Sequence, residues 1–123
     1  MTAVLLVSHG SYSKKAHSEI LRLFNGLKKE IKIPIFHYAF LEIKHPNIPQ
    51  GIKRCISDGA KRIVILLNFL NTGDHVRHDI PRIVRKSLKK YPKVPFRIST
   101  PVGQHPRMTY LYRDVIRKSL TKS

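Results

Sequence analysis

The chain has 123 residues, one cysteine and a net charge of +17 at pH 7, with 24 lysines and arginines against seven acidic residues. That length predicts one domain over 1–123 with one core, short for a self-contained doubly wound enzyme, so a second copy is an expected partner. No run approaches the ~18 apolar residues of a membrane span, and the amino terminus leads into an apolar run rather than a basic leader, which points to a cytoplasmic protein. Cys55 has no second cysteine to pair with and is read as core packing.

Ala3 to Ser8 is short, almost wholly apolar and rich in branched side chains, which predicts a strand buried on both faces and ended at Gly10. Ala16, Ile20, Leu23, Phe24, Leu27 and Ile31 recur at three and four residues and predict an amphipathic helix. Ile35 to Leu41 is a second strand. Ile48 to Asp58 reads as a short helix with Pro49 in its first turn and Gly59 at its carboxyl end. Arg62 to Leu67 is a third strand, followed by a helical face of Ile80, Ile83, Val84, Leu88 and Tyr91. A weaker apolar run, Phe96 to Ser99, precedes a last helical face of Met108, Leu111, Tyr112, Val115 and Ile116. Strands alternating with helices imply parallel pairing and right-handed crossovers, so the expected architecture is a single-domain α/β fold with a four-stranded parallel, flavodoxin-like sheet flanked by helices.

That order sets four loops at the carboxyl edge of the sheet, where open α/β sheets bind ligands: His9 to Ser13, Glu42 to Asn47, Asn68 to His78, and Pro101 to Pro106. Glu42, Asp74 and Asp79, three of the seven acidic residues, and His9, His45, His75 and His78, four of the seven histidines, fall in the first three loops or at their exits. His9 and His75 are the best pair for chemistry, His9 next to Gly10 and His75 two residues after Gly73, each at a loop mouth. Bland readings stand beside these. His9 alone could simply order its turn, and Asp79, just before Pro81, is read chiefly as a helix cap. His75 and His78 lack a third ligand at zinc-finger spacing. His105 is read as ordering the last turn, His17 as helix surface and His37 as a sheet position.

The residues also resemble a known family, the small class II tetrapyrrole chelatases, the sirohydrochlorin cobaltochelatase and nickelochelatase group. The match runs through His9-Gly10-Ser11, Glu42 and Pro46 after the second strand, Phe69-Leu70, Gly73-Asp74-His75, Asp79-Ile80-Pro81, and the Pro101 to Pro106 segment. The resemblance implies ATP-independent insertion of a divalent metal into sirohydrochlorin by a homodimer, with cobalt or nickel as the ion and iron as a further candidate. No cofactor is permanently bound, because the metal is a substrate. By resemblance His9 is a ligand and the proton acceptor, His75 is the second ligand, and Gly10, Ser11, His45 and the loop Leu70, Asn71, Thr72, Gly73, Asp74 and His75 contact the macrocycle. Glu42 is either a proton relay or a carboxylate that satisfies its own loop or pairs with Lys44. Elementary chemistry agrees: neutral imidazoles suit cobalt and nickel, and two protein nitrogens leave positions open for pyrrole nitrogens.

The chain departs from the family at Tyr12, where many members carry arginine, and at His45, where many carry an acidic residue before the proline. Asp74 is read either as tuning its neighbour or as facing solvent. The basic residues lie over all the helices, among them Lys14, Lys28, Arg82, Lys89, Arg113 and Arg117. Such a surface would steer a substrate with eight carboxylates, and it also fits a nucleic-acid-binding module, although no recognition motif accompanies it. A histidine phosphatase is a third reading, weakened because Ser8 stands where a phosphate-holding arginine precedes the nucleophile.

Overall fold

A computed structural model of the chain describes residues 1–121. Four parallel strands, β1 (Thr2–Ser8), β2 (Ile35–Phe40), β3 (Arg62–Leu67) and β4 (Phe96–Ile98), pair in the order β2-β1-β3-β4. The helices are α1 (Lys14–Glu30), α2 (Ile48–Ser57), α3 (Ile80–Leu88) and α4 (Met108–Thr121). This is the expected flavodoxin-like arrangement, with boundaries displaced by a residue or two. The most buried strand, β1, lies between β2 and β3, where both faces are covered.

The alternation of side chains divides the core. Ala3, Leu5 and Val7 of β1 and Ile63, Ile65 and Leu67 of β3 face α2 and α3, meeting Ile48, Ile52, Cys55, Ile80, Val84 and Leu88. Leu6 faces the other way, toward Phe24 of α1 and Phe36 of β2. Asn47 and Gln50 close a reciprocal capping box at the start of α2, and Gly59 turns the chain out of it at φ +97°. Cys55 is fully buried among these residues, as expected, and burial, aided by the nearby charge of Asp58, pushes its thiol up from 9.0 to about 11. It therefore stays a thiol and an unsuitable metal ligand.

Two helices differ from expectation. Helical backbone begins before α3, in a π-turn at His75–Asp79 in which the Ile80 amide donates to the His75 carbonyl, five residues back. Pro81 explains the widening, because it has no amide to offer the carbonyl four residues earlier and its ring crowds that position. Asp79 thus has helical dihedrals and caps nothing with its side chain, correcting the cap reading. The second exception is α4, whose apolar face lies on no part of the sheet: it buries no residue.

Candidate metal centre

His9 is the first residue beyond β1, and the β1–β2 pairing continues past the strand ends to reach it. Leu41 donates its amide to the Ser8 carbonyl at 2.8 Å, and Glu42 donates to the His9 carbonyl at 3.0 Å. This extension sets Glu42 beside His9, with Nε2 of the imidazole 2.5 Å from Oε1 of the carboxylate. Gly10 makes the approach feasible. It has φ +107°, and a Cβ there would lie 1.9 Å from the Glu42 carbonyl oxygen. Ile43, next to Glu42, is held at φ 75°, a costly conformation for a branched side chain and of the kind that concentrates at functional sites.

The π-turn brings His75 to the same place, its ring centroid 5.3 Å from that of His9 and tilted by 56°. His75 donates from Nδ1 to Oδ2 of Asp79 at 2.7 Å, so its Nε2 carries the free lone pair. Asp79 is also 3.5 Å from the Arg82 guanidinium. An ion bound to imidazole nitrogen at about 2.1 Å lies roughly 3.2 Å from the ring centroid, so two rings less than ~6.4 Å apart can share one ion. The observed separation meets that condition. Among the described residues no group of three or more histidines, cysteines and carboxylates is arranged around one ion. The centre is therefore open, with two imidazoles each supported by its own carboxylate and each about half exposed, at 48% and 51%.

The remaining predicted residues are distributed around this pair. Gly10 and Ser11 line a cavity of about 290 Å³ with His9, and Ser11 also accepts the Ser13 amide at the entry to α1. His17 lines the same cavity, a placement the sequence reading missed. Its ring lies 5.2 Å from that of Phe40, and its Nδ1 is buried without a hydrogen-bond partner. The signal was its spacing to Ile20 and Phe24 on the inward face of the helix.

His45 is not brought to the pair: its Nδ1 lies 2.9 Å from Oε1 of Gln50, and it lines a separate cavity with His37, Lys53, Arg54 and Asp58. His37 is itself bonded to Asp58 at 2.6 Å. Leu70, Asn71, Thr72, Gly73 and Asp74 are all exposed, and no hydrogen bond involves the Asp74 side chain among the described residues. Leu70 is held from the Pro101–Pro106 segment, where Gly103 donates to the Phe69 carbonyl and Gln104 to the Leu70 carbonyl. A Cβ on Gly103 would meet that Leu70 carbonyl at 2.2 Å, which accounts for the glycine. His105 accepts the Arg107 amide and orders the last turn, as expected.

Paired imidazoles stand at the carboxyl edge of a small parallel sheet, each bonded to a carboxylate and open to solvent, a donor set with the chemistry to take one metal ion and release it. The chain belongs to the CbiX family, whose profile matches residues 3–119. It is 38% identical over 119 residues to the sirohydrochlorin ferrochelatase of Priestia megaterium, covering 97% of this chain and 45% of that protein. The sirohydrochlorin chelatase SirB from Bacillus subtilis subspecies spizizenii, solved in complex with cobalt, superposes with a TM-score of 0.79 at 33% identity, over 81% of this chain and 43% of that one. A putative cobalamin biosynthesis CbiX protein from Marinobacter aquaeolei VT8 shares the fold, with a TM-score of 0.87 at 23% identity over 99% and 97% of the two chains. The chain thus spans less than half the length of the first two relatives and nearly all of the third. No helix among the described residues is long and apolar enough to cross a membrane.

Proposed function

We propose that this protein inserts a divalent metal ion into sirohydrochlorin without nucleotide hydrolysis. The observation that carries the reading is the His9–His75 pair, two rings close enough to share one ion and each bonded to its own carboxylate. His75 offers Nε2 as ligand, its ring fixed by Asp79. His9 offers Nδ1, because its Nε2–H is donated to Glu42. The open coordination positions take pyrrole nitrogens, so the ion passes from a two-imidazole site to a four-nitrogen macrocycle.

Insertion displaces two pyrrole protons. Once the ion has left, the freed lone pair of His9 accepts one while Nε2 yields its proton to Glu42, which is 53% exposed and releases it to solvent; the other pyrrole proton passes directly to water at the open site. Gly10, Ser11 and the exposed loop from Leu70 to His75 hold the macrocycle over the pair. Cobalt and nickel are the preferred ions, because nitrogen donors bind them more tightly than iron. The names of the relatives keep iron among the substrates. The enzyme works in the cytoplasm as a homodimer with two loop edges facing a shared cleft, and its contact with nucleic acid is nonspecific.

The test is anaerobic absorbance of purified protein with sirohydrochlorin and cobalt, nickel or iron, each without ATP. Insertion above the protein-free rate is expected, fastest with cobalt or nickel. No acceleration with any of the three would overturn the reading.

A further inference from the structure

Helices α2 and α3 pack side by side over one face of the sheet and leave an open groove of about 530 Å³ along their outer seam. Its floor is apolar. Ile52 of α2 is buried there, with Ile83 of α3 and Tyr91 just beyond that helix, both half-buried. Ser87, between Ile83 and Tyr91, donates its hydroxyl to the Ile83 carbonyl at 2.8 Å and so needs no polar partner in the groove. The rim is cationic: Lys53 from α2, and Lys86 and Lys90 from α3 and the turn that follows it, are all exposed. No carboxylate lines the groove among the described residues.

Solvated helix faces ordinarily mix the two signs of charge, and elsewhere this chain does so: α1 carries Glu19 and Glu30 among its lysines, and α4 carries Asp114. Neither α2 nor α3 contains an acidic residue. The nearest acids along the chain, Asp58 after α2 and Asp79 before α3, are bonded to His37 and His75. The negative carboxyl end of α3 accounts for Lys86 and Lys90, but Lys53 stands in the middle of α2 and gains nothing from a helix end. The three ammonium groups therefore surround an apolar trough with their mutual repulsion uncompensated, and an anionic occupant removes that repulsion.

We infer that this groove docks an acidic, amphipathic segment of another protein, its carboxylates meeting Lys53, Lys86 and Lys90 while one or two large apolar side chains enter between the helices. The shape selects against other polyanions. Duplex nucleic acid offers phosphates to the rim but no side chain to fill the trough, and a flat membrane surface does not reach a floor recessed between two helices. From Ile83 to Lys90 the groove runs roughly 10 Å, about two turns of a docked helix, so apolar residues three or four positions apart in the partner meet successive parts of the floor. The groove shares no residue with the His9–His75 centre, and docking there is independent of the reaction proposed for that centre.

Random peptides of about ten residues displayed on phage, selected on the immobilised full chain, are the first probe. The expected survivors combine several aspartates or glutamates with one or two large apolar residues three or four positions apart. The best of them, synthesised with a fluorescein label, should bind the full chain at a single site with a micromolar Kd, read by fluorescence anisotropy. Lys53→Glu/Lys86→Glu, which alters exposed positions only, should weaken it by about tenfold or more. The same reversal of charge on α1, Lys15→Glu/Lys29→Glu, should cost less than about threefold, with circular dichroism confirming that both variants are folded. Replacing the apolar residues of the peptide by alanine should weaken it by about tenfold as well. Survivors that are acidic but lack apolar residues, or no survivors at all, would overturn the proposal. So would equal weakening by the two reversals, which would mean that only net charge is read, or an oligothymidylate that binds as tightly as the peptide and loses as much in the groove variant.

Discussion

His9 has one free lone pair, and this constrains what it can do. With Nε2–H donated to Glu42 at 2.5 Å, only Nδ1 can bind an ion or accept a proton, so the two tasks alternate. His9→Ala should therefore weaken metal binding and leave insertion slow, by about a hundredfold or more, even at saturating metal. His75→Ala removes a ligand but no base, so excess metal should rescue much of its rate. Glu42→Gln keeps the shape and loses the charge, and should slow turnover with metal affinity within about twofold of the parent. The metal-concentration dependence of insertion in the three variants, with circular dichroism as the check on folding, decides among these. Near-parental rates in folded His9→Ala and His75→Ala would reduce both residues to loop packing. The two histidines were legible from sequence because each lies within two residues of a glycine, Gly10 or Gly73, where the chain leaves or re-enters regular structure. Glu42 was legible only as an alternative, since nothing in the local sequence says that its carboxylate reaches His9, 33 positions away, rather than Lys44. The partner of His45 was hidden for the same reason: Gln50 belongs to the capping turn of α2.

The π-turn ahead of α3 sets a carboxylate against His75. Because Pro81 cannot donate, the helix entering it is wound one residue wide, and Asp79 comes within 2.7 Å of Nδ1 of His75. Under the proposed function Asp79 is then a positioning residue that fixes the tautomer and orientation of His75 as a ligand. Removing such a carboxylate costs about 10- to 100-fold in metal affinity. Asp79→Ala should show that loss in a metal titration while its rate at saturating metal stays near that of the parent. Asp79→Asn, whose amide oxygen still accepts from Nδ1–H, should recover most of the affinity. If Asp79 were instead a cap, the alanine variant would lose about 1 kcal/mol of stability in a thermal melt with metal binding unchanged. The sequence pattern did not disclose this element because an aspartate followed by proline has the signature of a helix start, and the helical hydrogen bonds before it leave no periodic mark in five polar-rich residues. The strands were easier: Arg62–Leu67 coincides with its expected limits, since apolar runs bounded by polar residues and turns have only one way to be buried.

The charge of the whole molecule is not balanced locally. Of the seven acidic residues, Glu42, Asp58 and Asp79 bond histidines, although 24 lysines and arginines are present. Most of the cationic surface is thus left to act at a distance, and its composition was readable at once while its role was not. The length of the chain raised the expectation of a second copy, whereas the exposure of the last helix is visible only in three dimensions. For a macrocycle bearing eight carboxylates, a field of this sign raises the capture rate by tenfold or more at low ionic strength, and salt at about 0.15 M screens it beyond ~8 Å. Under the proposed function, metal transfer at the His9–His75 pair takes place inside that distance. The expected outcome is that kcat/KM for sirohydrochlorin falls by about tenfold from low to physiological salt while kcat stays constant, because capture is steered and transfer is not. Initial rates across a range of sirohydrochlorin concentrations, at several concentrations of sodium chloride and fixed saturating metal, separate the two. A flat kcat/KM would mean that the cations serve only to solvate the helices, and a kcat that falls in parallel would mean that salt acts on the metal pair itself rather than on the approach of the substrate.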